Sequence, residues 1–409
     1  MMGDGKSNYS CIVSIKTFML TMRNDLIRKG IHSGSKKILF DQIGAGRKAF
    51  KNKWDNIFVR ILVNLCLPII MLLGDFYQLI FTTFRLIKPK RNVNIDFNRL
   101  FIGIEAKLYE ITTRAKISNE RDVWFRTPFD TYQLPVKRRI ISAYDLLKIS
   151  DVFRCSYMAI IAHILTVFKM GYDKYFLSYN SFNWFLTDCA LRRIPKDVEI
   201  FYDYIYDRMA ILCDKLPFEK KNMVQHGTMF LYHIDKSSPY FDWQEDMGFY
   251  VPNNCYKSSP TTVYCFTKKD EVALSRTVIS NKPTFVYVGY GFKPTFKPNR
   301  KSLLIIGEYN KYGDKERIIL ERLEGLEIDI YLKNHPTISD SVYNDLRKRF
   351  NFKFISSKSS DFPDVDLLIS YESTLAYQYE SIGSKVLFYD DIDVKIIRET
   401  VSDIMKINF

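Results

Sequence analysis

Three short motifs contain side chains that could carry out transfer chemistry. The first is Gln225-His226-Gly227-Thr228, which follows a predicted strand. A histidine has a pKa near neutrality and can take a proton from a hydroxyl group, and a neighbouring glycine lets a ligand approach the backbone closely. His226 is therefore a candidate general base. Taken alone, the same residues would also suit a surface turn, so the interpretation depends on the other two motifs.

The second motif is Lys333-Asn334-His335-Pro336, which follows another predicted strand. Adjacent lysine and histidine side chains offer positive charge and hydrogen-bond donors to phosphate oxygens. Pro336 fixes the turn, because the residue before a proline is held extended. Gly307, which follows a further predicted strand, is added to the candidate phosphate-binding residues. The alternative is a proline-terminated strand whose charges are incidental.

The third motif is Ser370-Tyr371-Glu372-Ser373-Thr374, between a predicted strand and a predicted helix. Ser373 or Thr374 could cap the helix, whose free N–H groups and dipole attract a phosphate. Glu380 lies more than one turn further along, where an acid could hold the two ribose hydroxyls of a nucleotide. An ordinary helix cap without a ligand would have the same residues, so this motif is informative only beside the others.

All three motifs stand directly after predicted strands, which indicates how the chain must position them. Short apolar runs alternate with helical stretches, and such alternation predicts an α/β fold with a doubly wound parallel sheet. Ligands of these sheets bind beyond the carboxyl ends of the strands. The predicted strands are 100–104, 123–126, 174–178, 222–225, 262–266, 302–306, 327–332, 352–355, 366–370 and 385–389. The predicted helices are 143–148, 155–169, 269–275, 315–323, 341–350 and 374–382.

The composition narrows the class of protein. A length of 409 residues predicts two domains plus an extension, and a net charge of +14 favours anionic partners such as phosphorylated substrates or acidic lipids. Nucleic acid is not expected as a partner, because no arginine-rich arm, zinc-finger spacing or RNA-binding aromatic motif occurs. Seven cysteines without CxxC spacing indicate reduced thiols in a cytosolic compartment. Five histidines without paired ligand spacing argue against a metal site.

An apolar segment at residues 61–73 distinguishes the N-terminal part of the chain. Its 13 residues fall short of the about 20 that span a bilayer, and Pro68 is expected to interrupt any helix. We therefore predict an interfacial or re-entrant element at the membrane surface, the alternative being a buried helical hairpin. The basic residues that would reach anionic headgroups are Arg85, Lys88, Lys90 and Arg91.

The sequence predicts four segments along the chain. A proline- and glycine-containing stretch at 281–301 has the composition of an interdomain linker. The predicted segments are a membrane-associating extension at 1–98, an acceptor-side domain at 99–285, a nucleotide-donor domain at 286–390 and a helical tail at 391–409.

Taken in order, the motifs resemble those of a clan of surface-polymer transferases. The string is His226-Gly-Thr228, Lys333-x-His335-Pro336, Ser370-x-x-Ser373-Thr374, Glu380 and Phe388-Tyr-Asp390. It is similar to the motifs of CDP-glycerol glycerophosphotransferases, capsule Kdo transferases and bacterial polysialyltransferases. The resemblance covers residues 222–390, and most of it lies in 366–383.

The resemblance implies a GT-B fold, in which two Rossmann-like domains face a cleft, and a reaction without a metal ion. It also implies that the His-Pro and Ser/Thr motifs hold the phosphate of the donor, and that His226 is the base, as proposed for the glycerophosphotransferases. The capsule and polysialic acid enzymes use a carboxylate instead, so Asp242, Glu245 or Asp246 could replace it. This chain has Gln-His-Gly and Ser-Tyr-Glu-Ser where the glycerophosphotransferases have Trp-His-Gly and Asp-Tyr-Ser-Ser, which favours a sugar as the transferred group.

We therefore expect a glycosyltransferase that is inverting and needs neither a cofactor nor a metal. Its donor would be a CMP-sugar or another nucleotide-sugar, and its acceptor a capsule or lipopolysaccharide glycan or a lipid-linked sugar. It would work as a peripheral protein at the cytoplasmic face of the inner membrane, in contact with anionic lipids. Two alternatives stay open: a CDP-polyol polyolphosphotransferase of the teichoic-acid type, and a non-catalytic membrane-associated subunit of a polysaccharide assembly complex.

Overall fold

The computed structural model describes residues 11–28, 57–87, 95–103, 106–130, 133–134, 138–171, 178, 180–204, 208–225, 256–335 and 338–407 of the chain. The chain divides into two units, Met1–Val288 and Gly289–Phe409, and each has its own apolar core. Within the described residues each unit contains one sheet, and every strand pairing in both sheets is parallel.

The first unit is built on a seven-stranded sheet. Its strands are β1 (Arg99–Ile102), β2 (Val123–Arg126), β3 (Arg139–Ser142), β4 (Glu199–Tyr204), β5 (Lys221–Gln225), β6 (Thr262–Cys265) and β7 (Thr284–Tyr287). Their order across the sheet is β3-β2-β1-β4-β5-β6-β7, so the winding reverses between β1 and β4. The described helices are α1 (Cys11–Arg28), α2 (Ile57–Ile87), α3 (Ala106–Arg114), α4 (Ala143–Leu146), α5 (Ile149–Met170), α6 (Ser181–Leu191), α7 (Arg208–Lys215) and α8 (Lys268–Thr277).

The second unit repeats this plan with five strands. They are β8 (Ser302–Gly307), β9 (Asp329–Asn334), β10 (Lys353–Ile355), β11 (Leu367–Ser370) and β12 (Lys385–Phe388). The order is β10-β9-β8-β11-β12, so the winding reverses between β8 and β11. The helices are α9 (Tyr309–Leu323), α10 (Asn344–Arg349), α11 (Thr374–Ser381) and α12 (Ile397–Met405), with short 3₁₀ turns at Asp340–Tyr343 and Tyr389–Asp391.

The strand β8 shows why such segments form a sheet that is covered on both faces. Its sequence Ser-Leu-Leu-Ile-Ile-Gly is buried at every position, as is typical of a central parallel strand. Leu303 and Ile305 belong to one apolar cluster, whereas Leu304 and Ile306 belong to another, because successive side chains point to opposite faces. The carboxyl end of β8 is therefore held in the middle of the sheet.

The two parallel sheets confirm the predicted α/β class with two Rossmann-like units. The five strands predicted in the final third correspond to β8–β12, and 123–126 matches β2. The sequence pattern does not predict β3, β4 or β7. The edge strand β7 lies inside the predicted linker because Pro283 and Gly289 flank it, and the predicted boundary at residue 285 falls within this strand. The predicted strand 174–178 lies outside the described residues except for Ser178.

The N-terminal segment differs from the prediction in the continuity of its helix. The helix α2 is continuous over 31 residues, so Pro68 does not interrupt it. A proline removes one backbone hydrogen bond from a helix, and the bonds of the adjoining turns here continue the helix past it. Phe18 of α1 and Leu86 of α2 are buried in the core of the first unit. In the same way Val401 of α12, in the predicted tail, is buried in the core of the second unit.

Candidate functional site

The carboxyl ends of β8, β9 and β11 bring two of the predicted motifs to one edge of the second sheet. The strand β8 pairs with β9 on one side and with β11 on the other, and Gly307 is in register with Asn334. The winding of the chain reverses between β8 and β11, and ligands of open α/β sheets bind at such reversals. The residues that follow these strand ends, Glu308, His335 and Tyr371, therefore form the candidate site.

His335 lies near the residues that follow the other two strand ends. Its Nδ1 is 3.8 Å from Oε2 of Glu308, and its ring centroid is 6.1 Å from that of Tyr371. Burial lowers the pKa of His335, and burial also raises the pKa of Glu308 although Lys311 opposes that shift. The lowered pKa means that His335 favours its neutral form at neutral pH.

The loop between β11 and α11 supplies a capped helix start. The Ser370 hydroxyl donates to the carbonyl oxygen of Tyr371 (2.7 Å) and lies 3.3 Å from the Ser373 hydroxyl. Ser373 is the helix cap, since its oxygen accepts the N–H of Ala376 at 3.2 Å. The first turn of such a helix carries a partial positive charge and N–H groups that can bind an anion. Thr374 is the first residue of that turn.

Two acids accompany this helix start. Glu372 accepts the hydroxyl hydrogen of Tyr377 at 2.7 Å, so its carboxylate is held within the loop. Glu380 is exposed near the end of α11, almost two turns beyond Thr374. The helix therefore has a capped start that could bind an anion, and an exposed acid almost two turns further along.

Lys333 occupies a different position from the one that the sequence predicts for a phosphate ligand. Its Nζ donates to the carbonyl oxygens of Ser359 (2.7 Å) and Ser356 (3.4 Å) and lies 4.7 Å from the centroid of the Phe362 ring. The residue is buried, and burial lowers its pKa. Lys333 therefore holds the loop after β10, and these contacts direct its ammonium group to protein carbonyls.

Asn334 is a residue of the same motif whose role the sequence pattern does not reveal. It is buried, and its Nδ2 donates to the carbonyl oxygen of Ile338 and to Oδ1 of Asp340, each at 2.9 Å. Burial opposes the ionisation of Asp340, but hydrogen bonds from Ser356, Asn334 and Ser357 outweigh it and lower its pKa to about 2. This ion holds the turn after β9, of which Pro336 lies outside the described residues.

Gly307 also differs from its predicted role. A Cβ atom at this position would lie 2.8 Å from Cζ of Tyr343 and still closer to its hydroxyl oxygen. That hydroxyl donates to Oε2 of Glu316 (2.9 Å), whose Oε1 accepts the backbone N–H of Glu308 (2.7 Å). Gly307 thus makes room for Tyr343. The fully buried carboxyl of Glu316 fixes the chain where it leaves β8.

The predicted base candidates in the first unit, His226, Asp242, Glu245 and Asp246, lie outside the described residues. The residue before them, Gln225, ends β5 and is buried. Its Nε2 donates to Oδ1 of Asp270 at 2.6 Å, and its Oε1 accepts the N–H of Phe266 at 3.1 Å. These bonds fix the strand end from which the His-Gly motif continues.

Comparisons with known proteins give structural likeness only. No protein-family model and no curated protein matches the chain. Among solved structures the chain is similar to TarM, with 11% identity and a TM-score of 0.35 over 55% of this chain and 51% of TarM. It is also similar to the glycosyltransferase VinC in complex with DTDP, with 7% identity and a TM-score of 0.38 over 75% of this chain and 91% of VinC. A third similar structure is Acinetobacter baumannii MurG, with 8% identity and a TM-score of 0.34 over 76% of this chain and 91% of MurG. The chain spans about half the length of TarM.

Replacing Gly307 by alanine should destabilise the second unit by about 1–3 kcal/mol, since the new methyl group overlaps the buried Tyr343 ring. Gly74 is the matched control: it lies inside α2 with no atom near its Cβ position, so Gly74→Ala should stabilise by about 1 kcal/mol. Urea unfolding of both variants measures the two effects. A Gly307→Ala variant as stable as the parent would contradict the packing described for this strand end.

Glu316 should make stability depend on pH. Burial raises its pKa to about 7 from 4.5, against the hydrogen bonds that it accepts, so the folded state binds the proton more tightly. Stability should therefore fall as pH rises from about 4.5 to 7, by about 3 kcal/mol in total.

Glu316→Gln keeps the shape of the side chain but cannot ionise. Its free energy of unfolding, compared with that of the parent, should therefore rise by about 3 kcal/mol between pH 5 and pH 8. Glu321→Gln, at an exposed position of the same helix, is the control and should gain nothing. Urea unfolding at both pH values makes the comparison. Parallel pH profiles for the parent and Glu316→Gln would refute the assignment.

Proposed function

We propose that this chain is a glycosyltransferase that moves a sugar from a nucleotide-activated donor to an acceptor hydroxyl. The observation that carries the proposal is the convergence of Glu308, His335 and the capped start of α11 where the winding of the second sheet reverses. This arrangement suits a ligand with a negatively charged tail, because a helix start and an imidazole are both groups that bind phosphate oxygens.

The roles follow from the chemistry of each group. The start of α11 and His335 would meet the charge on the leaving nucleotide, and His335 would become protonated as the phosphate approaches. The exposed Glu380 would accept hydrogen bonds from the ribose hydroxyls. We assign no divalent metal to this step, since the start of α11 and a protonated His335 would supply the positive charge.

The reaction that we propose is a single displacement at the anomeric carbon. A bond forms between the acceptor oxygen and that carbon while the bond from the carbon to the phosphate oxygen breaks, and the base receives the acceptor's proton. His226 is the favoured base, with Asp242, Glu245 or Asp246 as the alternative. The donor in this proposal is a CMP-sugar or another nucleotide-sugar. The acceptor is a surface glycan or a lipid-linked sugar at the cytoplasmic face of the inner membrane, where a net charge of +14 suits anionic lipids.

The nucleotide site predicts that CMP, CDP, UDP or GDP raises the melting temperature, because a ligand of the folded state stabilises it by about 2.7 kcal/mol at 100 times its Kd. His335→Ala should weaken this shift and cut turnover about 100-fold, since it removes a group that meets the leaving-group charge. The control is Lys385→Ala, at the amino end of β12 in the same sheet, which should change neither the shift nor the turnover. No shift with any of the four nucleotides would favour a non-catalytic subunit, and unchanged turnover would remove His335 from the site.

The product distinguishes sugar transfer from polyol-phosphate transfer. Incubation with a lipid-linked or glycan acceptor and the nucleotide-sugar whose nucleotide binds best should give a glycosidic linkage of inverted configuration, detectable by NMR. A phosphodiester linkage would instead identify a polyolphosphotransferase. His226→Ala and Asp242→Asn should then separate the two base assignments, because only the true base lowers turnover by a factor of about 100 or more.

A further inference from the structure

Two helices of the first unit expose large apolar side chains. On α5 they recur every three or four residues and so form one stripe, with exposed fractions from 43% to 82%. They are Ile149, Phe153, Tyr157, Ile160, Ile164 and Phe168. The neighbouring helix α2 exposes a second stripe that includes Ile69, Leu73, Phe76, Tyr77 and Phe84. Soluble proteins rarely expose apolar patches of this extent without an interaction to cover them.

The opposite side of α5 already belongs to the core of the first unit, where Val152, Met158 and Ala162 are buried. By length and composition α5 could cross a membrane, but 44% of its apolar window is buried inside the unit. A helix that is packed along one side and apolar along the other suits a position in the plane of a membrane surface better than a crossing.

A groove of about 390 Å³ joins the two stripes. Apolar side chains such as Leu72, Phe76 and Ile160 make up most of its lining. The polar side chains that line it have partners within the unit: Nε2 of His163 lies 2.9 Å from Oδ2 of Asp75, and the Ser156 hydroxyl donates to the carbonyl oxygen of Val152 at 3.1 Å. The two stripes and the groove therefore form one continuous apolar surface, which we call the α2–α5 face.

The exposed charges that are described on the two helices are of one sign. Among the described side chains of α2, α5 and the cap before α5, every exposed charged residue is basic. They are Arg85, Lys148, Arg154 and Lys169. The two acids of these helices turn inward, where Asp75 pairs with His163 and Asp151 pairs with Arg193 at 2.6 Å. A second copy of the chain would set these basic residues against one another, whereas anionic lipid headgroups would neutralise them.

We propose that the α2–α5 face docks on an anionic lipid bilayer, with both helices lying in the interface and an alkyl chain entering the groove. The exposed aromatic rings suit the boundary between headgroups and chains. The proposal identifies the surface that contacts the membrane, and this surface includes α5 as well as α2. It does not depend on the transferase activity, because a non-catalytic protein could dock in the same way.

Flotation of the full chain with vesicles tests the proposal. The protein should float with phosphatidylglycerol–phosphatidylcholine vesicles and bind phosphatidylcholine vesicles at least tenfold more weakly. Phe153→Ser/Phe168→Ser should weaken binding to the anionic vesicles at least tenfold, and Lys169→Gln should weaken it about fivefold. The matched controls in the second unit are Ile382→Ser/Ile396→Ser and Lys385→Gln, all at exposed positions, which should bind as the parent does.

Several outcomes would overturn the proposal. Absence of the parent from the floating fraction is one, and flotation of Phe153→Ser/Phe168→Ser to the same extent as the parent is another. Sedimentation without lipid could instead show a dimer that this double variant abolishes, which would make the α2–α5 face a subunit interface. The melting temperature and the nucleotide-induced shift of the variant show whether it is folded and whether the donor site is intact. Loss of flotation with an unchanged nucleotide shift would separate this proposal from the transferase proposal.

Discussion

The buried carboxyl of Glu316 is the group on which the candidate site depends. It accepts the N–H of Glu308, at the end of the central strand, and the hydroxyl of Tyr343. A buried carboxyl without such donors would be costly, so these three groups stay together and hold the end of β8 in one place. His335 then meets Glu308 in a defined position, and the loop with Tyr371 closes the site from the other neighbouring strand.

The sequence predicts the fold class, and it predicts that the candidate motifs follow strand ends, for one physical reason. Parallel strands covered on both faces are continuous apolar runs, and the polar residues that follow them gather at one edge. Ser373 caps a helix as its position predicts. The roles of Lys333 and Gly307 could not be predicted, because they are set by partners distant in sequence, the carbonyl of Ser359 and the ring of Tyr343. A lysine at a strand end looks the same in sequence whether it binds a phosphate or a loop.

In the helices, hydrophobic periodicity likewise does not predict which side of a helix packs against the core. The helix α5 carries apolar residues on both sides, and its sequence alone does not show which side the core covers. The burial of Val152 and Met158 and the exposure of Phe153 and Phe168 resolve this. The proline in α2 misleads for a related reason: the cost of one missing hydrogen bond is local, whereas the continuation of the helix depends on the turns around it.

The close packing of Gly307 against Tyr343 restricts which substitutions this protein can accept during evolution. A larger residue at 307 becomes tolerable only if the ring at 343 shrinks, and a smaller residue at 343 removes the hydroxyl donor from Glu316. Each step alone should lower the stability of the second unit, so we expect the three positions to change as a set. Homologous chains that retain this strand end should show correlated substitution at 307, 316 and 343, although these positions are far apart in the chain.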